Sequence, residues 1–480
     1  MILSAIWQGF LRPWEITHKL IRFTNAHPST ATFLNNLALL YVDIGKYAEA
    51  KPLYKHALQI YEDSLGVEHV DTATTLNNFA SLYEFEGNFA EAERLYKRAL
   101  RIREKTLGPE HRSTAVSLSD LAGLYSDKGD YAEAESLYRR ALRINEKALG
   151  PEHPETGRSL NNLGLLFRKV GNYAEAESRL KRGLHIREKV LGPDHLDTAN
   201  SLNNLATVYA DLGNYSKAES LFRRALRTKE KNLGSEHPSI ANSLNNLAVL
   251  SSNRGNYAEA KSFFRRALRT REKVLGPEHP STATSLNNLA LLYADLGDYA
   301  AAEPLYERAL SIREQTLGPE HPATGGSLNN LGLLFREIGK DAEAESLLKR
   351  GLHVSEKALG PEHWQTAASL HNLAFIYRSQ GNYAEAVQLF KRALEVRERA
   401  VGSEHPDYAL SLKSLGMTYT ATDRPDDALP LFRQAYQIQR KLTEQIFSYT
   451  TERERMAFAA TLQPYGSFAL LNSSSDLALA

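Results

Sequence analysis

The sequence predicts an all-α fold, an α-solenoid of about ten stacked 42-residue helix-turn-helix repeats. Three observations predict it. First, a leucine recurs with no insertion or deletion at Leu34, Leu76, Leu118, Leu160, Leu202, Leu244, Leu286, Leu328, Leu370 and Leu412. Second, the apolar residues around each leucine keep helical spacing. Third, a glycine arrives every ~21 residues, which breaks any continuous helix. The third observation matters because forty-two is also six heptads, a period that a long coiled coil would share. Hairpins of two helices satisfy all three.

The unit from His69 to Gly108 shows how each element is specified. In six of the ten copies the residue after the connector histidine is proline: Pro28, Pro154, Pro238, Pro280, Pro322 and Pro406. Proline at the first helical position, followed by Ser, Asp or Glu, starts a helix. Leu76, Phe79, Ala80 and Tyr83 then form one stripe at i, i+3, i+4, i+7, and Gly87 ends the helix. A second helix follows from about Phe89 to Thr106, its stripe made of Ala92, Leu95, Tyr96, Ala99 and Leu100. Leu107-Gly108-Pro109-Glu110-His111 stops it. Each helix is expected to be ~25 Å long at 1.5 Å per residue.

Composition narrows the function classes. Lys+Arg and Asp+Glu nearly cancel, 58 against 57, so no net field draws the chain to nucleic acid or anionic lipid. There is no cysteine, which excludes disulfides, thiolate metal sites and cysteine nucleophiles and fits a cytoplasmic location. The start, Met1 to Phe10, lacks the basic region and cleavage site of a signal peptide, and no run approaches a membrane span. No cofactor or metal is expected. Ten histidines recur at the repeat period (His27, His69, His111, His153, His195, His237, His279, His321, His363, His405), but equivalent positions on stacked helix pairs lie too far apart to share one ion. They read as connector residues. The second helices are basic, as in Lys97, Arg98, Arg101, Arg103 and Lys105, and read as a solvated outer face paired to glutamates at i,i+4. Aromatics exposed for base stacking are missing, so nucleic acid is not an expected partner.

The spacing Leu34, Leu37, Ala38, Tyr41, Gly45, Ala50, Tyr54, Ala57 resembles the tetratricopeptide repeat. The eight extra residues and the Leu-Gly-Pro-Glu-His-Pro connector resemble the 42-residue repeats of kinesin light chains and their bacterial relatives. The family's closing proline falls at Glu62, where this chain continues its helix. The resemblance implies a right-handed superhelix whose concave groove holds peptides. The expected organisation is a capping segment at 1–26, the array at 27–442, and a C-terminal helix with a flexible tail at 443–480. In the tenth copy Asp423 and Pro425 replace the usual glycine and aromatic. Repeats four and eight share their deviations: Leu160, Gly164, Phe167, Gly183, His185 in one and Leu328, Gly332, Phe335, Gly351, His353 in the other. They read as one four-repeat block used twice.

On a helical wheel the arc opposite the first-helix stripe carries Thr32, Asn35, Asn36, Leu39, Val42 and Asp43. Asparagine is an indifferent helix former, at up to about 0.7 kcal/mol against alanine. Yet fifteen of the twenty positions of the Asn-Asn pair are asparagine: Asn35, Asn36, Asn77, Asn78, Asn161, Asn162, Asn203, Asn204, Asn245, Asn246, Asn287, Asn288, Asn329, Asn330 and Asn372. Two readings fit. Each amide can hydrogen-bond the backbone of a bound segment, or one asparagine of each pair bridges to the next repeat. Beside the pair, Arg168, Lys169, Arg336 and Arg378 place positive charge on the arc, Asp43, Asp127, Asp211 and Asp295 negative, and Phe375 and Met417 offer apolar contacts. An acidic element is the expected ligand at repeats four, eight and nine.

The expected function is therefore a non-catalytic scaffold or adaptor for a protein or peptide ligand. The alternative is the sensing array of a caspase-like protease system, because Thr451-Glu452-Arg453-Glu454-Arg455-Met456-Ala457 resembles the stretch that joins bacterial arrays to such a domain. Self-assembly through Ile2, Leu3, Ile6, Trp7, Phe10 and Leu11 is a third option.

Overall fold

The structure is a computed structural model that describes residues 27–449. The expected capping segment, the apolar N-terminal cluster, the protease-like stretch and the tail lie outside the described residues. Within them are twenty helices and no strand. The first helices of the ten repeats are α1 (Pro28–Asp43), α3 (Val70–Phe85), α5 (Arg112–Lys128), α7 (Pro154–Lys169), α9 (Leu196–Asp211), α11 (Pro238–Asn253), α13 (Pro280–Asp295), α15 (Pro322–Glu337), α17 (Trp364–Ser379) and α19 (Pro406–Ala421). The second helices are α2 (Tyr47–Ser64), α4 (Phe89–Leu107), α6 (Tyr131–Leu149), α8 (Tyr173–Leu191), α10 (Tyr215–Leu233), α12 (Tyr257–Val274), α14 (Tyr299–Thr316), α16 (Asp341–Leu359), α18 (Tyr383–Val401) and α20 (Pro425–Tyr449). The last helix runs through Thr443-Glu444 without a break, so residues 445–449 extend α20 and do not open a separate helix.

Each first helix is capped by its connector histidine. In all ten repeats Nδ1 of that histidine accepts the backbone N–H two residues on, at 3.0–3.2 Å. An imidazole does here what Ser, Asp or Asn does at most N-caps. In seven repeats a threonine of the first turn, such as Thr156, donates to the connector glycine carbonyl at 2.7–3.0 Å. The turn between the two helices needs a left-handed residue. Glycine fills it in nine repeats, and in the tenth Asp423 takes φ 55°, which the short polar aspartate tolerates better than most residues.

The stripe residues pack as their periodicity requires: Leu34, Leu37, Ala38 and Tyr41 are buried against Ala50, Leu53, Tyr54 and Ala57 of the partner helix. Repeats four and eight depart from this in a correlated way. Seven repeats pair an alanine of the first helix with an aromatic sixteen residues on, as Ala206 with Phe222. Repeat four has Gly164 facing Leu180, and repeat eight Gly332 facing Leu348. A Cβ on Gly164 would lie 2.7 Å from Leu180 Cγ, and one on Gly332 2.8 Å from Leu348 Cγ. The branched leucine fills the space that the alanine methyl occupies elsewhere. Gly183 lets α8 approach α7 in the same way, since its Cβ would meet the Gly157 carbonyl at 2.9 Å.

Two compact units meet within α5, at Ser117 and Leu118. In both, each hairpin packs on the next, and first helices also touch the first helix of the neighbouring repeat: α1 with α3, and α7, α9, α11, α13, α15, α17 and α19 in succession. The backbones of successive second helices do not approach one another as closely among the described residues. The first helices therefore line the inner side of the stack.

Candidate functional site

The wheel puts both asparagines of the pair on the open arc; the structure divides them. Asn35, Asn77, Asn161, Asn203 and Asn245, at the first position, are buried, and Asn287 and Asn329 are half-buried. They point between repeats. Asn161, Asn203 and Asn329 donate to Ser201, Ser243 and Ser369 of the following repeat at 2.8, 3.1 and 2.7 Å. A two-faced wheel misses this because a first helix has four neighbours: its own partner, the second helix of the preceding repeat, and a first helix on each side. At the second position Asn36 is exposed, and Asn78, Asn162, Asn204, Asn246, Asn288, Asn330 and Asn372 are half-buried. Two of these reach back one repeat, Asn78 to Asn35 at 3.1 Å and Asn330 to Asn287 at 2.9 Å. Elsewhere that bridge is open: the carbonyl oxygens of Asn161, Asn203, Asn245 and Asn329 are buried without a partner.

The same serines collect a residue that periodicity had assigned to the outer face. Arg103 is buried, as are Arg187, Arg271 and Arg397. Arg187 Nη1 donates to Ser201 Oγ at 2.9 Å and to the Asp197 carbonyl at 3.1 Å, so Ser201 accepts from Arg187 and Asn161 together. Arg103, Arg271, Arg313 and Arg397 make the same fork onto the next first helix. Burial pulls the guanidinium pKa of Arg271 and Arg313 down to about 10. The signal in the sequence was the serine six residues after the connector histidine, fourteen residues past each of these arginines. Much of the basic second-helix face is paired across repeats as well as along helices. Arg98, Arg182, Arg224, Arg266, Arg308, Arg350 and Arg392 each pair with a glutamate of the preceding second helix at 2.5–2.8 Å. Pairs at i,i+4, such as Lys97 with Glu93 at 2.6 Å, are also present.

The arc's cations fall into two groups. Arg168 is engaged, with Nε 2.5 Å from Asp211 of the next repeat, and Lys169 reaches back to Asp127 at 2.7 Å. For Arg336 the position equivalent to Asp211, on the following repeat, is Ser379. Arg336 touches Glu337 and lies 4.3 Å from the Phe375 ring centroid, and Arg378 lies 4.4 Å from the same centroid. Arg378 has no carboxylate in ion-pair reach among the described residues, and its buried Nη1 has no hydrogen-bond partner. Burial and the neighbouring Arg336 charge both lower its pKa. Under this pair sits His371, which replaces the first asparagine of repeat nine. It packs edge-on to Phe390 at 5.1 Å, and burial, with Arg397 and Arg378 nearby, pushes its pKa down to about 3.

No group of three His, Cys, Asp or Glu side chains placed to hold a metal occurs among the described residues, and none of their helices is long and apolar enough to cross a membrane.

The chain is similar to nearly identical TPR-like repeats assigned to a kinesin light chain of Podosopora anserina: 32% identity over 43% of this chain and 98% of that one, with a TM-score of 0.37. It is similar to BtubC (BKLC) from P. vanneervenii at 27% identity, covering 49% and 92% of the two chains, TM-score 0.40. A Rap protein solved in complex with Competence and Sporulation Factor shares the fold at 16% identity, covering 86% and 99%, TM-score 0.51. No curated protein matches the chain. The tetratricopeptide repeat model matches residues 29–105, 80–147, 113–189, 168–231, 239–315, 285–357 and 365–441. Those matches span most of the chain, which belongs to the tetratricopeptide repeat family.

Proposed function

We propose that this chain is a non-catalytic scaffold that holds a protein or peptide segment against its first helices, with a carboxylate of that segment docked at Arg336 and Arg378. The observation that carries the reading is Arg378, a partly buried cation stacked on Phe375 with one donor unused and no acid beside it. A buried charge without a partner is costly, and a ligand carboxylate forked by a guanidinium supplies one. Repeat four drops out of the original expectation, because Asp211 and Asp127 already occupy its cations. The second-position asparagines that bridge nothing, Asn162, Asn204, Asn246, Asn288 and Asn372, are the amides free to meet a peptide backbone.

Fluorescence anisotropy with labelled glutamate-rich, lysine-rich and uncharged peptides tests this. The acidic peptide should bind the wild-type chain best and lose at least about tenfold in affinity, or 1.4 kcal/mol, in Arg336→Glu with Arg378→Glu. Ser379→Asp should weaken it too, by adding to Glu337 a second internal acid, at the position from which Asp211 pairs with Arg168. Equal affinities for all three proteins would refute the reading.

A further inference from the structure

The stack touches itself. His363, in the connector before repeat nine, is 3% exposed, whereas the side chain of its counterpart His195 is 45% exposed. What covers His363 is the end of α5, six repeats earlier: its Nε2 donates to the Asp127 carbonyl at 2.7 Å. The tautomer is set by the cap, since Nδ1 accepts from the Gln365 N–H at 3.1 Å and only Nε2 can then carry the proton. A Cβ on Gly129 would lie 3.7 Å from His363 and 4.0 Å from Trp364, which stands where six other repeats have proline. One repeat further the contact recurs, with Gly171 facing His405 at 3.4 Å by the same measure. Between that turn and the Val401–Pro406 connector lies a cavity of about 630 Å³, lined also by Ile438 and Lys441. Turns and connectors sit at opposite ends of the hairpins. Their contact therefore lays one edge of the ribbon of repeats on the other, six repeats on, with the first helices inside.

We propose that His363 and Trp364 form a clasp with the turn of repeat three, closing the repeats of the second unit into a sealed winding, so that the inner arc takes an extended chain segment from the end of the bore and a folded domain only after the clasp opens. This rests on the groove reading for the location of the ligand and on the His363 contact for its kind. Arg336, Phe375 and Arg378 lie on α15 and α17, inside that winding. A segment flanked by folded domains cannot thread it. Acid would act on the cap of His363 rather than on its bond to Asp127, since Nε2 keeps its proton in both states. The charged groups facing His363 are Asp127 and Lys128 at the end of α5, Asp130 in the turn and Lys169 from α7. Burial, and then the Lys169 charge, hold its pKa below the usual value despite the carbonyl bond to Asp127 and the charges of Asp127 and Asp130. Protonation would put a hydrogen on Nδ1 against the Gln365 N–H and remove the cap.

The chain has no cysteine, so spin labels at Ala132→Cys and Gln365→Cys, both exposed positions, report the seam alone. His363→Asn keeps a cap acceptor but is too short to reach Asp127, and His195→Asn makes the same change at an exposed connector. The labelled wild type and His195→Asn should give one short distance, and His363→Asn a longer and broader one. A labelled glutamate-rich peptide should associate with the wild type at least about tenfold faster than the same peptide fused to a folded domain at each end. In His363→Asn the two rates should converge. An unchanged distance in His363→Asn, with circular dichroism showing intact helices, overturns the clasp. Equal rates for both peptides on the wild type overturn the threading. If neither peptide binds any variant, the groove reading fails, and the distance measurement still decides the clasp.

Discussion

Replacing Gly164 by alanine sets two effects of known sign against each other. A glycine within a helix costs about 1 kcal/mol relative to alanine, so propensity alone favours the substitution. The new methyl, however, would sit 2.7 Å from Leu180 Cγ, 3.0 Å from Cδ2 and 3.3 Å from the Ala176 carbonyl. Leu180 is fully buried and cannot swing into solvent. Overpacking of this kind costs about 1–3 kcal/mol. The net expectation for Gly164→Ala is a loss of roughly 0–2 kcal/mol. Gly326→Ala is the internal control, because that exposed helical glycine has nothing within 4 Å and should gain close to the full propensity term. The two substitutions should thus differ by about 1–3 kcal/mol, with propensity cancelled. A repeat array need not unfold in one step, so local hydrogen exchange is the suitable assay. Amides of α7 and α8 should exchange faster in Gly164→Ala, and those of α15 slower in Gly326→Ala, by up to about tenfold for each 1.4 kcal/mol. Adding Leu180→Phe should recover the loss by recreating the alanine–aromatic pair of seven other repeats. If Gly164→Ala slows exchange as Gly326→Ala does, the close approach of α7 and α8 is wrong.

Further outcomes follow from the buried polar groups. Arg313→Met strands Ser327 and the Ala323 carbonyl, now held at 2.8 and 3.0 Å, and should cost about 2–4 kcal/mol by local exchange at α15; Arg313→Lys should not restore it, because a point charge cannot span the fork. Asn203→Ala removes the bond to Ser243 and should cost about 1 kcal/mol, whereas Asn204→Ala, which breaks no such bond, should be neutral or gain up to about 0.7 kcal/mol. For His371 the unfolded state binds the proton more tightly than the folded state, so stability is complete above pH 6.5 and falls as pH drops from there toward about 3. At about 1.4 kcal/mol per unit the loss is at most roughly 5 kcal/mol, and His371→Asn, which restores the usual residue, should flatten thermal midpoints measured from neutral to acid pH.

Much of this was legible in the sequence, and the limit has a physical form. Periodicity reports which side of a helix is apolar, so Leu34, Ala38 and Tyr41 could be placed on the core side from spacing alone. It does not report polar burial. Arg103 and Lys105 look alike in a basic run, yet Arg103 is buried between repeats and Lys105 pairs with Glu68 in solvent, 2.5 Å away. The difference lies in what stands fourteen residues later, on the next helix. Likewise Asn161 and Asn162 are adjacent and identical in type, and only the stacking of α7 on α9 separates a buried donor from a half-exposed one. The His363 contact lay furthest from reach, because its partner is 236 positions away in the chain.

The two related repeats show why a surface cannot be assigned repeat by repeat. Repeats four and eight share a glycine opposite a leucine, and in both the glycine has the same cause, a branched side chain across the hairpin. That feature is internal to the hairpin and is reproduced wherever the hairpin is. They also share an arginine, Arg168 and Arg336, and here they part. Its environment is made by the following repeat, which brings Asp211 to one and Ser379 with Phe375 to the other. An ion pair within the stack leaves little charge for a ligand, whereas Arg336 and Arg378 share one ring, Phe375, with Glu337 as the single acid in reach among the described residues, and leave a site with surplus positive charge. Selectivity in such an array therefore belongs to neighbouring pairs of repeats, and duplicating a repeat preserves its ligand only if the next repeat is duplicated with it.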